Sequence, residues 1–98
     1  MSTYDVTLGL YEKGHTMEEI ATLRQLTGGT IFSHFLKLYE DGKVDINILM
    51  EKERLAGLLK HFQDVTASTS LNEIKSRIPF ETTYQEIRAA KTYYLKES

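Results

Sequence analysis

Seven positions between Arg24 and Lys37 have types that suit an anionic ligand: Arg24, Thr27, Gly29, Thr30, Ser33, His34 and Lys37. The hydroxyls of Thr30 and Ser33 can hydrogen-bond phosphate oxygens or base edges, and Lys37 can pair with a phosphate. The Gly28-Gly29 pair lets another backbone, of protein or phosphate, come close. Gly29, Thr30, Ser33, His34, Lys37 and Glu40 fall on one arc if the segment is helical. That arrangement is the chemistry of a helix laid against a nucleic-acid groove. Glu40 and Asp41 would repel a phosphate backbone, so the same arc also reads as the solvated face of a structural helix. His34 reads first as a tie from its helix to a neighbouring backbone group and second as a DNA contact. Arg24 can bond the last carbonyls of its own helix or reach a phosphate, with the structural role favoured.

No other grouping points to chemistry. His15, His34 and His61 are isolated and lack metal-ligand spacing. Glu18-Glu19 and Glu51-Lys52-Glu53 read as caps or solvated faces rather than an acid/base pair. Gly28-Gly29 lacks the Gly-x-x-x-x-Gly-Lys-Ser/Thr spacing of a phosphate loop. The expectation is a chain without catalytic residues, metal or cofactor.

The residues on that arc need a scaffold, and the sequence describes one. Ser2 with Asp5, Thr16 with Glu19, Ser70 with Glu73 and Thr83 with Glu86 are hydroxyl–acid pairs three apart, each placed to cap a helix start. Helix 1 is expected from about Thr3 to Lys13, with Tyr4, Leu8 and Tyr11 on one face and Gly14 as a stop. Helix 2 is expected from Met17 to Arg24, burying Met17, Ile20 and Ala21. A turn at Gln25-Leu26-Thr27 leads to helix 3, from Gly28 to about Asp41, ended by Gly42. The run from Thr16 to Gly42 is therefore the pattern of a helix-turn-helix. Ile31, Phe32, Phe35, Leu36, Leu38 and Tyr39 form an apolar arc wider than a three-helix unit needs, so a later helix is expected over Phe32 and Leu36. Lys43–Leu49 alternates like a strand, but no partner strand follows, and a short helical turn capped by Asp45 is preferred. Helix 4 is expected from about Glu51 to Val65, helix 5 from Leu71 to Arg77 before Pro79, and helix 6 from Tyr84 to about Lys96. Thr66 to Ser70 is a polar linker. The fold class expected is all-α: a helix-turn-helix core over 1–42 extended by about three helices over 43–98 into one small bundle, a single domain of 1–98.

Composition sets the bounds. Hydrophobic residues at 41% and charged residues at 27% form an ordinary globular balance that argues against disorder. The absence of Cys excludes disulfides and fits a reducing cytoplasm. No apolar run is long enough to cross a membrane, and the N-terminus lacks a signal-peptide profile. The net charge of −2 runs against a strong DNA grip, and residues 1–60 hold seven basic and nine acidic side chains. DNA affinity of the isolated chain is expected to be weak.

The order of residues also resembles a known family. Ser-Thr-x-x-x-Thr-x-x-Leu-x-x-x-Gly from Ser2, Glu-x-Ile-Ala-x-x-Arg-x-Leu-Thr-x-x-Thr-Ile-x-x-His-Phe from Glu18, then Gly42, are similar to the C-terminal helix-turn-helix domain of RecQ-type ATP-dependent DNA helicases. The residues carrying the likeness are Ser2, Thr3, Thr7, Gly14, Ile20, Ala21, Arg24, Leu26, Thr27, Thr30, Ile31, His34 and Gly42. The later stretch LNEIKSRIPFETTYQEIRAA resembles that family's closing helix pair. The resemblance implies an accessory fragment of a larger helicase, with DNA and the remainder of the helicase chain as partners. Two other readings of the residues are a small transcription regulator dimerising through helices 4 to 6 and a purely protein-binding helical module.

Overall fold

A computed structural model describes residues 1–97. Among them every regular element is helical: α1 (Thr3–Glu12), α2 (Met17–Arg24), α3 (Gly28–Glu40), a 3-10 turn (Ile46–Ile48), α4 (Lys52–Leu59), α5 (Leu71–Arg77) and α6 (Tyr84–Glu97). None of these helices is long and apolar enough to cross a membrane. The chain divides into two compact units, Met1–Leu49 and Met50–Ser98.

In the first unit α3 packs on both α1 and α2. Ile20, Ile31, Phe35 and Leu38 form the core, and Tyr4, Leu8, Leu10, Met17, Ala21 and Leu26 pack around it. Val44, Ile48 and Leu49 join the same cluster, so the segment after Gly42 belongs with this unit. That segment turns rather than extends because the Asp45 carboxylate accepts from the Asn47 N–H at 2.8 Å. The Tyr11 ring meets Phe35 edge-on at 5.4 Å. Leu36 is buried as well, and Phe32 is half-buried.

All three helices of this unit stop in the same way. A residue at positive φ turns the chain, and the next N–H reaches back to the carbonyl five residues earlier. Gly14, Gln25 and Gly42 have φ of 99°, 55° and 77°. The closing bonds run from His15 to Leu10 (3.2 Å), Leu26 to Ala21 (2.9 Å) and Lys43 to Leu38 (2.9 Å). Two of the stops use glycine. The one inside the helix-turn-helix uses Gln25.

In the second unit α6 packs on α4 and α5. Leu55, Leu58, Phe62, Val65, Ile74, Ile78, Ile87, Ala89 and Ala90 are buried. Helix α4 ends at Leu59, six residues before the expected Val65. The chain there tightens into i→i+3 bonds, His61 to Leu58 and Phe62 to Leu59, each 3.1 Å. Asp64 then takes φ 63°. The tightened turns still place Phe62 and Val65 inside, so the apolar stripe outlives the helix. The Thr66–Ser70 linker is fixed: Lys91 donates to the carbonyls of Ala67 (3.0 Å) and Thr69 (2.6 Å).

Glu86 is the polar hub of the second unit. It receives the Arg54 guanidinium through Nε (2.8 Å) and Nη2 (3.1 Å), and the Thr83 N–H at 3.0 Å. The Arg54 bonds first, and the Thr83 N–H next, hold its carboxyl at about 2, well below the ordinary 4.5, against the opposing effect of burial. Arg54 also donates to the Glu81 carbonyl and lies over the Phe80 ring at 5.0 Å. One guanidinium thus binds α4 to the start of α6.

Candidate nucleic-acid interface

The start of α3 differs from the starts of its two neighbours. Ser2 caps α1 and Thr16 caps α2, each in a reciprocal box with the acid three residues on, Asp5 or Glu19. Thr27 caps α3 by accepting the Thr30 N–H at 3.1 Å, yet the third helical position holds Thr30 where the others hold a carboxylate. The hydroxyls of Thr27 and Thr30 share a hydrogen bond of 2.9 Å. No acid stands in the first turn of α3. Its positive dipole end is therefore not neutralised locally. Thr27, Gly28, Gly29 and Thr30 are all exposed. A methyl group added at Gly28 would meet nothing within 4 Å, so the packing of the protein itself does not require that glycine.

Further along α3 the outward strip carries Lys37, exposed and paired with Asp41 at 3.3 Å. Such an exposed pair contributes little and exchanges readily. Ser33 is half-buried beside it, and Glu40 is exposed. Thr30 and Lys37 lie seven residues apart on one face, which spans about 10 Å of helix.

Arg24 and His34 do not join this strip. His34 is buried, with its Nδ1 2.9 Å from Thr7 Oγ1 and its ring edge-on to Tyr4 at 5.1 Å. Arg24 donates through Nη1 to the Thr3 carbonyl (2.7 Å) and to Thr7 Oγ1 (2.6 Å), and through Nη2 to Thr3 Oγ1 (2.9 Å). The expected arc therefore loses His34, whose partner is a side chain on α1 rather than a backbone group. Arg24 likewise bonds carbonyl and hydroxyl groups of α1, not the last carbonyls of α2. Burial first and the Arg24 charge second push the His34 pKa below the ordinary 6.5. Thr3 and Thr7, which join these two residues, lie outside the set of site candidates that the sequence offers. One signal was available: Thr7 shares the inward face of α1 with Tyr4, Leu8 and Tyr11. A hydroxyl in an apolar stripe must find a partner.

Electrostatically the first unit is acidic, with four Lys and Arg against seven Asp and Glu over residues 1–49. Three of the four cations are engaged within the unit: Arg24 as above, Lys37 with Asp41, and Lys43 with Asp5 at 3.5 Å. The sequence candidates thus divide by geometry. Thr27, Gly29, Thr30 and Lys37 share the outside, Ser33 sits at its margin, His34 is buried, and the half-buried Arg24 is turned to α1.

Comparison with known proteins agrees with this architecture. A family model described as a helix-turn-helix domain matches residues 3–91, from the first turn of α1 into α6. No curated protein and no solved structure gives a significant match. The matched span takes in both the three-helix unit and the helices that follow it, and the chain belongs to the helix-turn-helix domain family.

Proposed function

We propose that the chain is a non-catalytic accessory domain of a RecQ-like ATP-dependent DNA helicase that touches DNA with the start and outer strip of α3. The observation that carries the DNA contact is the exposed, acid-free first turn at Gly28, Gly29 and Thr30. Backbone N–H groups and a positive dipole end there suit a phosphate, and the glycines admit it closely. Lys37, about two turns on, can trade Asp41 for a second phosphate. The helicase parent is supported by the resemblance over Ser2–Gly42 and over residues 71–90.

The grip is weak by itself, because acidic side chains outnumber basic ones in this unit. With one or two phosphates neutralised, the salt slope of duplex binding is about −1 to −2. Fluorescence anisotropy at low salt, with duplex, forked and single-stranded DNA, tests the reading on the chain alone and on the chain joined to a RecQ-like motor. Weak salt-sensitive binding that strengthens when the motor is attached supports it. No binding in either form contradicts it and favours a protein-binding module, the reading to which the acidic balance of the first unit points. A stable symmetric dimer would favour a transcription regulator instead.

A further inference from the structure

We propose that Arg24, Thr7 and His34 form a proton-sensitive latch, in which α3 keeps its seat on α1 only while His34 is neutral and carries its proton on Nε2. The donors and acceptors gathered at Thr7, and the Arg24 charge beside them, would make such a latch whether or not the domain touches DNA. A threonine hydroxyl offers one hydrogen and two lone pairs. Arg24 has no acceptor, so its Nη1, 2.6 Å from Thr7 Oγ1, must donate. The Thr7 hydrogen is then free to point to His34 Nδ1 at 2.9 Å, and the latch takes the tautomer in which Nδ1 accepts it and leaves no buried hydroxyl hydrogen without an acceptor. An accepting Nδ1 places the ring proton on Nε2.

A second proton on the ring breaks this order. Nδ1 becomes a donor that takes the second lone pair of Thr7 Oγ1 beside Arg24, and the Thr7 hydrogen loses its acceptor inside the core. An imidazolium and a guanidinium then share one hydroxyl, and Thr7 has no exposed surface from which water could relieve them. The groups facing His34 are Thr7 and Tyr4 from α1 and Arg24 from α2, and the charge that bears on the ring is that of Arg24. Acidification therefore separates His34 from Thr7 and loosens the seat of α3.

Long-range 1H–15N correlation NMR on the full chain, stepped downward from neutral pH, reads the ring nitrogens and the Arg24 guanidinium together. The expected result is an Nε2–H ring at neutral pH that gains its second proton below the ordinary histidine range. The Arg24 side-chain signals and the Thr7 amide should move at the same midpoint. An Nδ1–H ring, protonation at or above the ordinary range, or protonation with Arg24 unmoved overturns the latch. His34→Gln offers Thr7 an acceptor that does not titrate. The acid-induced movement of Arg24 and Thr7 should vanish in that variant, and its persistence would overturn the latch as well.

Discussion

Thr7 and His34, 27 residues apart in the chain, meet at 2.9 Å where α1 and α3 cross, and Arg24 of α2 closes on the same hydroxyl at 2.6 Å. One buried oxygen thus touches all three helices of the first unit. Replacing it removes a partner from two groups at once. Thr7→Val, close to isosteric, should destabilise the first unit by about 2 kcal/mol, because a guanidinium and an imidazole lose a shared partner. Thr7→Ser keeps the hydroxyl and should cost less than about 1 kcal/mol. Urea unfolding of the two variants measures the gap, and equal losses would show that the hydroxyl is immaterial.

Arg24 is placed to hold helices together. Its Nη1 and Nη2 make three bonds to Thr3 and Thr7, a fork that lysine cannot reproduce. Arg24→Lys should cost about 1–2 kcal/mol of stability. In Arg24→Gln, which removes the charge, the salt slope of any DNA binding should stay the same, since no phosphate contact is lost. A reduced slope with unchanged stability would return Arg24 to the DNA-facing strip.

The turn between α2 and α3 offers a stabilising change. Gln25 sits at φ 55° in a position that Gly14 and Gly42 fill at the ends of the other two helices. Gln25→Gly relieves the left-handed strain and should raise stability by about 1 kcal/mol, less some unfolded-state entropy. Thermal unfolding reads the outcome, and a lower midpoint would mean that the Gln25 side chain earns its place by contacts.

Acid should weaken the second unit through Glu86. Its carboxyl pKa falls from 4.5 to about 2, with the Arg54 bonds as the largest cause. A depressed carboxylate stabilises the folded state fully above its unfolded pKa, because the unfolded chain binds more protons within the window between the two values. This contribution is thus present above pH 4.5 and is lost as pH falls from there towards about 2. Glu86→Gln should lower stability at neutral pH and flatten that stretch of the stability–pH curve. An unchanged curve would show that Arg54 and Glu86 are not coupled in solution.

Much of this architecture is legible in the residues themselves. Ser2, Thr16, Thr27 and Ser70 start their helices as their chemistry demands, and Asp45 turns the alternating Lys43–Leu49 segment into a helical turn. The end of α4 is not legible. Leu55, Leu58, Phe62 and Val65 keep a helical period through a stretch that has left the helix, because i→i+3 turns present nearly the same face. The stop at Gln25 is hidden too, since glutamine carries no signature of positive φ. The candidate strip was only partly readable. Helical spacing gives the angle of His34 on α3 but not the rotation of α3 against α1, and that rotation decides which polar residue turns inward. Thr3, Thr7, Arg24 and His34 all belong to the pattern by which the chain resembles the helicase domain, and their common cause emerges only when α1, α2 and α3 are assembled.

The proposed function makes the outer strip of α3 the surface that meets DNA. Amide chemical-shift mapping of the chain titrated with forked DNA at low salt tests it most directly. Shifts concentrated at Thr27, Gly28, Gly29, Thr30 and Lys37, with Thr7 and His34 unmoved, are the predicted result. Shifts centred elsewhere on the chain, or none at saturating DNA, would contradict it.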